Sequence, residues 1–196
     1  MAYAQALSPQ DVRWTDHMTG KTAIVLRGPP CGGKTSVGCE IARQLASPVT
    51  FISLDDGWSP CERRFANDGR YSDLASDVQT LIIELGFGEP AGESFAGATR
   101  DPNAWLKVLR ESGRSVFLFL LQPPLEETFR RIGKDRPGDS HQYYRCAALR
   151  YESGGVCSRD AFKERIGDAY TERTVDTSQE PKETTARQIV GLIGGV

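Results

Sequence analysis

The most constraining feature of the sequence is an eight-residue stretch, GPPCGGKT, at positions 28–35. It ends an apolar run, TAIVLRG at 22–28, that predicts a buried strand, and it precedes a segment from Gly33 to Ala46 with apolar residues at helical spacing. Three glycines among eight residues allow the backbone to curl so that successive N–H groups point into one concavity. The stretch therefore predicts a strand-to-helix turn whose helix N-terminus can hold an anion.

The same stretch matches the complete P-loop pattern, with four residues between Gly28 and Gly33, and with Lys34 and Thr35 directly after Gly33. In that motif the lysine reaches the β- and γ-phosphates of a nucleotide, and the hydroxyl coordinates Mg²⁺. The alternative is an ordinary turn that matches by chance. We predict that the nucleotide is bound by Gly28, Pro29, Pro30, Cys31, Gly32, Gly33, Lys34, Thr35 and Ser36. Of these, Lys34 is a candidate catalytic residue and Thr35 a candidate metal ligand.

Apolar strands alternate with helices along the rest of the chain. Further strands are predicted at 49–54, 78–85, 115–122 and 174–178, and further helices at 101–113, 125–134, 161–170 and 181–193, with 135–157 as a loop. This alternation predicts a parallel sheet covered by helices on both faces. We expect a single α/β domain at 21–196, preceded by an extension at 1–20 that contains a short helix. Ligands of such sheets bind at the carboxyl ends of the strands.

Composition narrows the classes of protein to consider. The formal net charge of −2 gives no overall basic field, so contact with nucleic acid would need a local patch. Five cysteines without paired spacing indicate reduced thiols, and His141, Cys146 and Cys157 lack the CxxC pair of a typical zinc site. The N-terminus does not read as a signal peptide, and the longest apolar run, 116–121, is too short to span a bilayer. We therefore expect a cytoplasmic protein.

Other motifs bear on the class of P-loop protein. The sequence has no Asn-Lys-x-Asp motif for reading guanine, and its third predicted strand ends in the single acid Glu84 rather than in the Asp-Glu pair of motor ATPases. Small size and arginines after the fourth strand favour a kinase. Glu84 is a candidate for binding the acceptor or magnesium, and the alternative is that it only begins a loop.

Two aspartates follow the second predicted strand, FISLDD, whose end we expect next to the P-loop. A kinase needs a carboxylate that accepts the proton of the acceptor hydroxyl and aims it at the γ-phosphorus. Asp55 is the candidate for this catalytic role, and Asp56 is a candidate for binding the substrate or metal-bound water. The alternative is that the pair belongs to a simple turn.

Arginines follow the fourth predicted strand, where kinases have a lid, here at about 134–158. Adjacent residues of a helix point in different directions, so Arg130 and Arg131 are not both expected to reach the phosphates. An arginine there neutralises charge on the transferred phosphoryl group. We take Arg131 and Arg136 as catalytic candidates, the alternative being solvated surface residues.

With these residues, the chain resembles the small P-loop kinases grouped around polynucleotide 5′-kinase, chloramphenicol phosphotransferase and the zeta toxins. The resemblance spans about 22–194 and rests on GPPCGGKT, the Asp55-Asp56 pair and the arginines near 130–136. It implies a P-loop NTPase fold with a five-stranded parallel sheet and an arginine-bearing mobile lid. It also implies ATP and Mg²⁺ as cofactors and Asp55 as the general base.

One departure from that family concerns the acceptor. Polynucleotide kinases typically have Asp-Asp-x-Arg after the second strand, whereas Trp58 stands here in place of the arginine. Trp58 is a candidate for stacking on a base, an aromatic drug or a sugar face, or for packing under the loop. Arg63 is a candidate replacement for the missing charge. We expect the segment 86–100 to shape the acceptor pocket.

Together these features predict transfer of the γ-phosphoryl group of ATP to a hydroxyl. The acceptor is a polar small molecule, such as a nucleoside, or a hydroxyl on nucleic acid, at a 5′ end or on a hydroxylated base. One alternative is a nucleotide-gated regulator that acts through a protein partner, and another is a nucleotide-binding domain with degraded catalysis. The residues leave open whether ATP or GTP is the donor.

Overall fold

The structure is a computed structural model, and it describes residues 20–45, 48–53, 77–85, 102–138, 140–153 and 159–194. Its strands are β1 (Thr22–Arg27), β2 (Val49–Ser53), β3 (Thr80–Glu84), β4 (Ser115–Leu121) and β5 (Glu172–Val175). They form one parallel sheet in the order β2-β3-β1-β4-β5. β1 is central and buried along its whole length, as its apolar sequence predicts.

Helices cover both faces of this sheet. They are α1 (Lys34–Gln44), α2 (Pro102–Glu111), α3 (Leu125–Asp135), α4 (Ser140–Ser153), α5 (Arg159–Ile166) and α6 (Lys182–Gly194). Successive side chains of β1 alternate between two cores: Ile24 and Leu26 pack with α1 and α6, and Ala23 and Val25 pack with α2 and α5. The predicted α/β fold, a five-stranded parallel sheet with helices on both faces, is confirmed.

A glycine lets α1 approach the sheet closely. A Cβ atom on Gly38 would lie 2.4 Å from Cε2 of Phe51 on β2, which is closer than real Cβ contacts. The helix can therefore rest against the aromatic ring only because this position has no side chain. α1 begins with Lys34 and Thr35, the last two residues of the P-loop motif, so this contact helps to set the position of the loop against the sheet.

The sheet order corrects one sequence-based expectation. β3, and not β2, is the strand beside β1, and the register pairs Leu26 with Glu84. The carboxyl end of β2 is therefore one strand further from the P-loop than we expected. The strand end adjacent to the loop on this side carries Glu84.

The segment 135–157, predicted as a loop, contains the helix α4 over Ser140–Ser153. The prediction was wrong because the buried side chains of this helix are only Ala147, Ala148 and Tyr151, two of them alanines. So small an apolar face leaves little helical periodicity in the sequence. The consequence is that the segment after α3 is a helix that packs against α3 rather than an irregular loop.

The last strand was also placed wrongly. β5 covers Glu172–Val175 rather than 174–178, and it lies at an edge of the sheet with only Val175 buried. Because residues 172 and 173 are charged, this strand does not form an apolar run and could not be recognised from hydrophobicity.

The predicted N-terminal helix lies outside the described residues. Among the helices that the structure describes, none is long and apolar enough to cross a membrane.

Candidate active site

The P-loop connects β1 to α1, and its backbone needs glycine. Gly28 has φ of 154°, and a Cβ atom there would lie 2.2 Å from the carbonyl oxygen of Leu121 on β4. Gly33, the residue before α1, has φ of 95°, and Cys31 has φ of 56°. The loop thus curls through left-handed conformations at the end of the central strand. The N-terminus of α1, which is the positive end of the helix dipole, therefore faces the concavity of the loop and favours binding of an anion there.

The Lys34 side chain lies against the backbone at the start of this loop. Its ammonium group donates hydrogen bonds to the carbonyl oxygens of Gly28 at 3.0 Å and Pro29 at 2.9 Å, and the side chain is buried. A phosphate oxygen carries more negative charge than a neutral carbonyl, so it makes a stronger hydrogen bond to ammonium. The lysine is therefore already positioned at the place where a phosphate chain would lie.

Thr35 and Glu84 are brought together by the adjacency of β1 and β3. The Thr35 hydroxyl donates a hydrogen bond of 2.7 Å to Oε1 of Glu84, and the Glu84 side chain is buried. A hydroxyl and a carboxylate are both hard oxygen donors of the kind that Mg²⁺ prefers. This pair fits a magnesium ion beside the nucleotide phosphates.

The two adjacent arginines of α3 differ in exposure and in their contact with the P-loop. Arg131 donates from Nη1 to the carbonyl oxygen of Cys31 at 3.4 Å, whereas Arg130 is exposed to solvent. Both bind the Glu127 carboxylate, Arg130 at 2.6 Å and Arg131 at 2.7 Å. The Arg130 hydrogen bond, with help from Arg131, lowers the pKa of Glu127 to about 2. Arg131 is thus the member of the pair that contacts the P-loop.

Thr177, which the sequence analysis missed, ties the loop after β5 to the P-loop. Its buried hydroxyl donates to the carbonyl oxygen of Gly32 at 3.0 Å, and its own carbonyl accepts from Nη2 of Arg131. Had β5 been placed correctly, the rule that ligands bind at the carboxyl ends of strands would have drawn attention to this residue. Thr177 therefore helps to fix both the loop and Arg131.

Arg136 also reaches the P-loop. Its guanidinium lies over the ring of Tyr144 on α4, 5.0 Å from the centroid, and beside the thiol of Cys31. Burial raises the pKa of Cys31, and the positive charge of Arg136 opposes this rise. The described residues thus bring Lys34, Arg131 and Arg136 to one loop.

Other predicted site residues have different positions. Pro29 and Pro30 are buried in the loop, and Ser36 is exposed in the first turn of α1. The remaining predicted acceptor and base residues lie outside the described part of the chain and stay predictions: Asp55, Asp56, Trp58 and Arg63.

Comparison with known proteins gives matches among solved structures. No protein-family profile matches the sequence. No curated protein matches it either. A shikimate kinase from Acinetobacter baumannii in complex with shikimate has 20% identity, with 88% of this chain and 93% of that chain covered and a TM-score of 0.51. A gluconokinase from Sinorhizobium meliloti has 15% identity, coverage of 89% and 94%, and a TM-score of 0.52.

A third similar structure is the YorR protein from Bacillus subtilis in complex with phosphorylated GDP. It has 16% identity, with 88% of this chain and 95% of that chain covered and a TM-score of 0.51. The narrower resemblance to polynucleotide kinase, chloramphenicol phosphotransferase and zeta toxins stays a prediction. At these identities the likeness concerns the fold, which is the α/β P-loop NTPase fold.

Proposed function

We propose that the protein is a kinase that transfers the γ-phosphoryl group of Mg-ATP to a hydroxyl of a polar small molecule. The observation that carries this proposal is the convergence of Lys34, the Thr35–Glu84 pair and two arginines on one P-loop. Phosphoryl transfer requires little covalent chemistry from the protein. It depends on placing positive charge and hydrogen-bond donors around the transferred group.

Each group has a distinct task in this scheme. Lys34 gives up its contacts with the carbonyl oxygens of the loop and binds the phosphate chain. Thr35 and Glu84 would hold Mg²⁺ through their oxygens, and the ion, when bound, neutralises charge on the phosphates. Arg131 is held by Glu127 and Thr177, so its contact with the loop is fixed before the nucleotide arrives.

Arg136 is suited to the developing charge on the transferred group. Its planar fork matches phosphate oxygens, and it already lies at the rim of the loop beside Cys31. Asp55 is proposed to accept the proton of the acceptor hydroxyl. Asp56, Trp58 and Arg63 are proposed to bind the acceptor.

A small acceptor is favoured over nucleic acid by two considerations. The chain carries a formal net charge of −2, which does not attract a polyanion. Two proteins of similar fold, a shikimate kinase and a gluconokinase, are named for small polar substrates. We therefore place the acceptor among hydroxylated small molecules such as sugars, hydroxy acids and nucleosides.

The test is to follow the label of γ-labelled nucleotide in the presence of Mg²⁺. Separate reactions contain nucleosides, sugars and hydroxy acids, phenicol and aminoglycoside drugs, single-stranded DNA or RNA, with ATP and GTP compared as donors. We expect label in a small polar acceptor with ATP, and its loss in Lys34→Met. Label only in nucleic acid would overturn the small-molecule assignment. Label in no acceptor, or an unchanged rate in Lys34→Met, would overturn the kinase assignment.

A further inference from the structure

A buried arginine lies directly before the P-loop. Arg27 is the last residue of β1, and its guanidinium donates to three groups on other elements. Nη1 donates to the hydroxyl of Tyr151 on α4 at 3.1 Å, and Nη2 donates to the carbonyl oxygen of Arg159 on α5 at 2.6 Å. Nε and Nη2 bind the carboxylate of Glu172 on β5, with Nη2 to Oε2 at 2.9 Å. One side chain thus joins four elements.

Stability alone does not account for such an arrangement. A buried arginine–glutamate pair is often no more stabilising than well-packed apolar side chains, because both charges lose their hydration. A guanidinium nevertheless fixes direction, since its donors form a rigid planar fork. The ring of Phe162 on α5 lies against this fork, 4.6 Å from Cζ of Arg27, and restrains it further. The main effect of the Arg27 contacts is therefore to fix the positions of α4, α5 and β5 relative to the end of β1.

α4 connects this buried fork to the rim of the P-loop. Tyr151 and Tyr144 are seven residues apart, which places them on the same face of the helix. Tyr151 binds Arg27, and the Tyr144 ring supports the guanidinium of Arg136. Arg145 of α4 also lies over the Phe129 ring of α3 at 4.0 Å, so the helix is packed against α3 between these two contacts.

A second pair of contacts holds the same end of α4. Gln122, which follows β4, donates to Oε1 of Glu152 at 3.4 Å, and Arg159 lies 3.4 Å from Oε2 of Glu152. These contacts are longer than the bonds of Arg27 and are partly exposed. They locate the last turn of α4 near the sheet, while Arg27 supplies the buried and directional contact.

We infer that Arg27 is a positioning residue for phosphoryl transfer: through Tyr151 it fixes α4, and α4 in turn holds Arg136 at the P-loop. Arg27 itself contacts no substrate in this scheme. The inference rests on the proposed kinase function. It implies that loosening the Arg27–Tyr151 contact displaces Arg136 but leaves Lys34 and Thr35 in place.

The first test separates phosphoryl transfer from nucleotide binding. Tyr151→Phe removes the hydroxyl and keeps the ring, and we expect the single-turnover rate of γ-phosphoryl transfer or release to fall about fivefold, the shift that one lost hydrogen bond produces. The dissociation constant of ATP should change by less than about twofold, because the P-loop itself is unaltered. Equal losses in rate and affinity would overturn the inference.

A second variant keeps the charge and removes the fork. Arg27→Lys still pairs with Glu172, but a single ammonium lacks the planar fork that holds Tyr151 and Arg159 in fixed directions. We expect the same loss of rate as in Tyr151→Phe. The matched control is Arg114→Lys, because Arg114 is equally buried but lies at the opposite, amino-terminal end of the central strands, where it donates to the carbonyl oxygen of Thr22. An equal loss of rate in the control would attribute the effect to general destabilisation and overturn the inference.

A double-mutant cycle tests the route through Arg136. In the background of Arg136→Ala, we expect Tyr151→Phe to have no further effect on the rate, because the residue that it positions is absent. Independent, additive losses would overturn the inference. Thermal unfolding of each variant shows whether the assay temperature lies well below the melting temperature. If Arg27→Lys does not fold, Tyr151→Phe and the cycle still decide.

A readout without nucleotide keeps the test independent of the proposed function. The pH profile of alkylation of Cys31 by iodoacetamide, followed by peptide mass spectrometry, reports the charges beside the thiol, which are Arg136, Asp135 and Lys34. We expect Arg136→Ala to move the profile to higher pH, and Tyr151→Phe to move it in the same direction. An unchanged profile in Tyr151→Phe would overturn the inference. Absence of ATP turnover in the wild type would instead overturn the kinase proposal.

Discussion

Replacing Gly28 with alanine should damage both the fold and nucleotide binding, and the structure gives the size of the effect. The added Cβ would lie 2.2 Å from the carbonyl oxygen of Leu121, whereas contacts below 3.0 Å are essentially never seen. The backbone of Gly28 or that of Leu121 must therefore move by close to an ångström. Overpacking of this kind costs about 1–3 kcal/mol. The left-handed φ of 154° adds about 1–2 kcal/mol for a residue with a side chain.

The expected total loss is about 2–5 kcal/mol in the free energy of unfolding. For a domain of this size, each kcal/mol lowers the melting temperature by about 2–4 °C. Circular dichroism during heating measures this decrease, and titration with a fluorescent ATP analogue measures affinity. We expect affinity to fall as well, because the shifted strand ends carry the loop that contains Lys34.

Gly113→Ala provides the control that separates strain from collision. Gly113 has φ of 75°, but nothing lies within 4 Å of a Cβ placed there. It should lose only the backbone term, about 1–2 kcal/mol, and bind nucleotide as the wild type does. If Gly28→Ala were no less stable than Gly113→Ala and bound nucleotide normally, the reasoning from the Leu121 contact would be refuted.

Three further predictions follow from the described contacts. Glu84→Gln keeps an oxygen for the Thr35 hydroxyl but loses the charge, so the Mg²⁺ concentration for half-maximal turnover should rise about tenfold, and an unchanged magnesium titration would contradict this role. Hydrogen bonds from Arg130 and Arg131 lower the pKa of Glu127 to about 2. The stability that these bonds contribute is therefore fully present above the usual pKa range of glutamate, and it is lost as the pH falls from that range towards 2. Chemical denaturation should show that loss, about 1 kcal/mol after solvent screening, in the wild type and not in Glu127→Gln. Gly38→Ala should cost about 1–3 kcal/mol in thermal unfolding, and Phe51→Leu should recover part of it by giving the new methyl group space.

The parts of the structure that are encoded locally could be predicted from the sequence. The P-loop is a short contiguous pattern, and the backbone of Gly28 and Gly33 has the left-handed conformations that such a pattern of glycines favours. Strands buried on both faces are recognisable as apolar runs, so β1 and β4 were placed almost to the residue. The α/β fold could therefore be predicted from the alternation of these strands with helices.

Elements that are stabilised mainly by partners distant in sequence could not be predicted in this way. α4 has two alanines and Tyr151 as its buried side chains, and the hydroxyl of Tyr151 binds an arginine 124 positions away in sequence. β5 begins with Glu172, a charged residue whose partner is the same arginine. The sequence of each segment is polar, and the arginine that binds its polar side chain lies far away along the chain. Arg27, in turn, appeared to be only the end of an apolar strand.

The same dependence on topology governs the assignment of Glu84. From the sequence, one acid at the end of a strand could serve the acceptor, the metal or neither, because the order of strands in a sheet is not written in any single strand. The order β2-β3-β1 puts Glu84 beside the P-loop and within hydrogen-bond distance of Thr35. The Glu84 carboxylate already accepts a hydrogen bond from the candidate metal-binding hydroxyl of Thr35. It is therefore better placed to bind Mg²⁺ than to bind the acceptor. The magnesium role therefore gains its support from the neighbouring strand and not from the residue type alone.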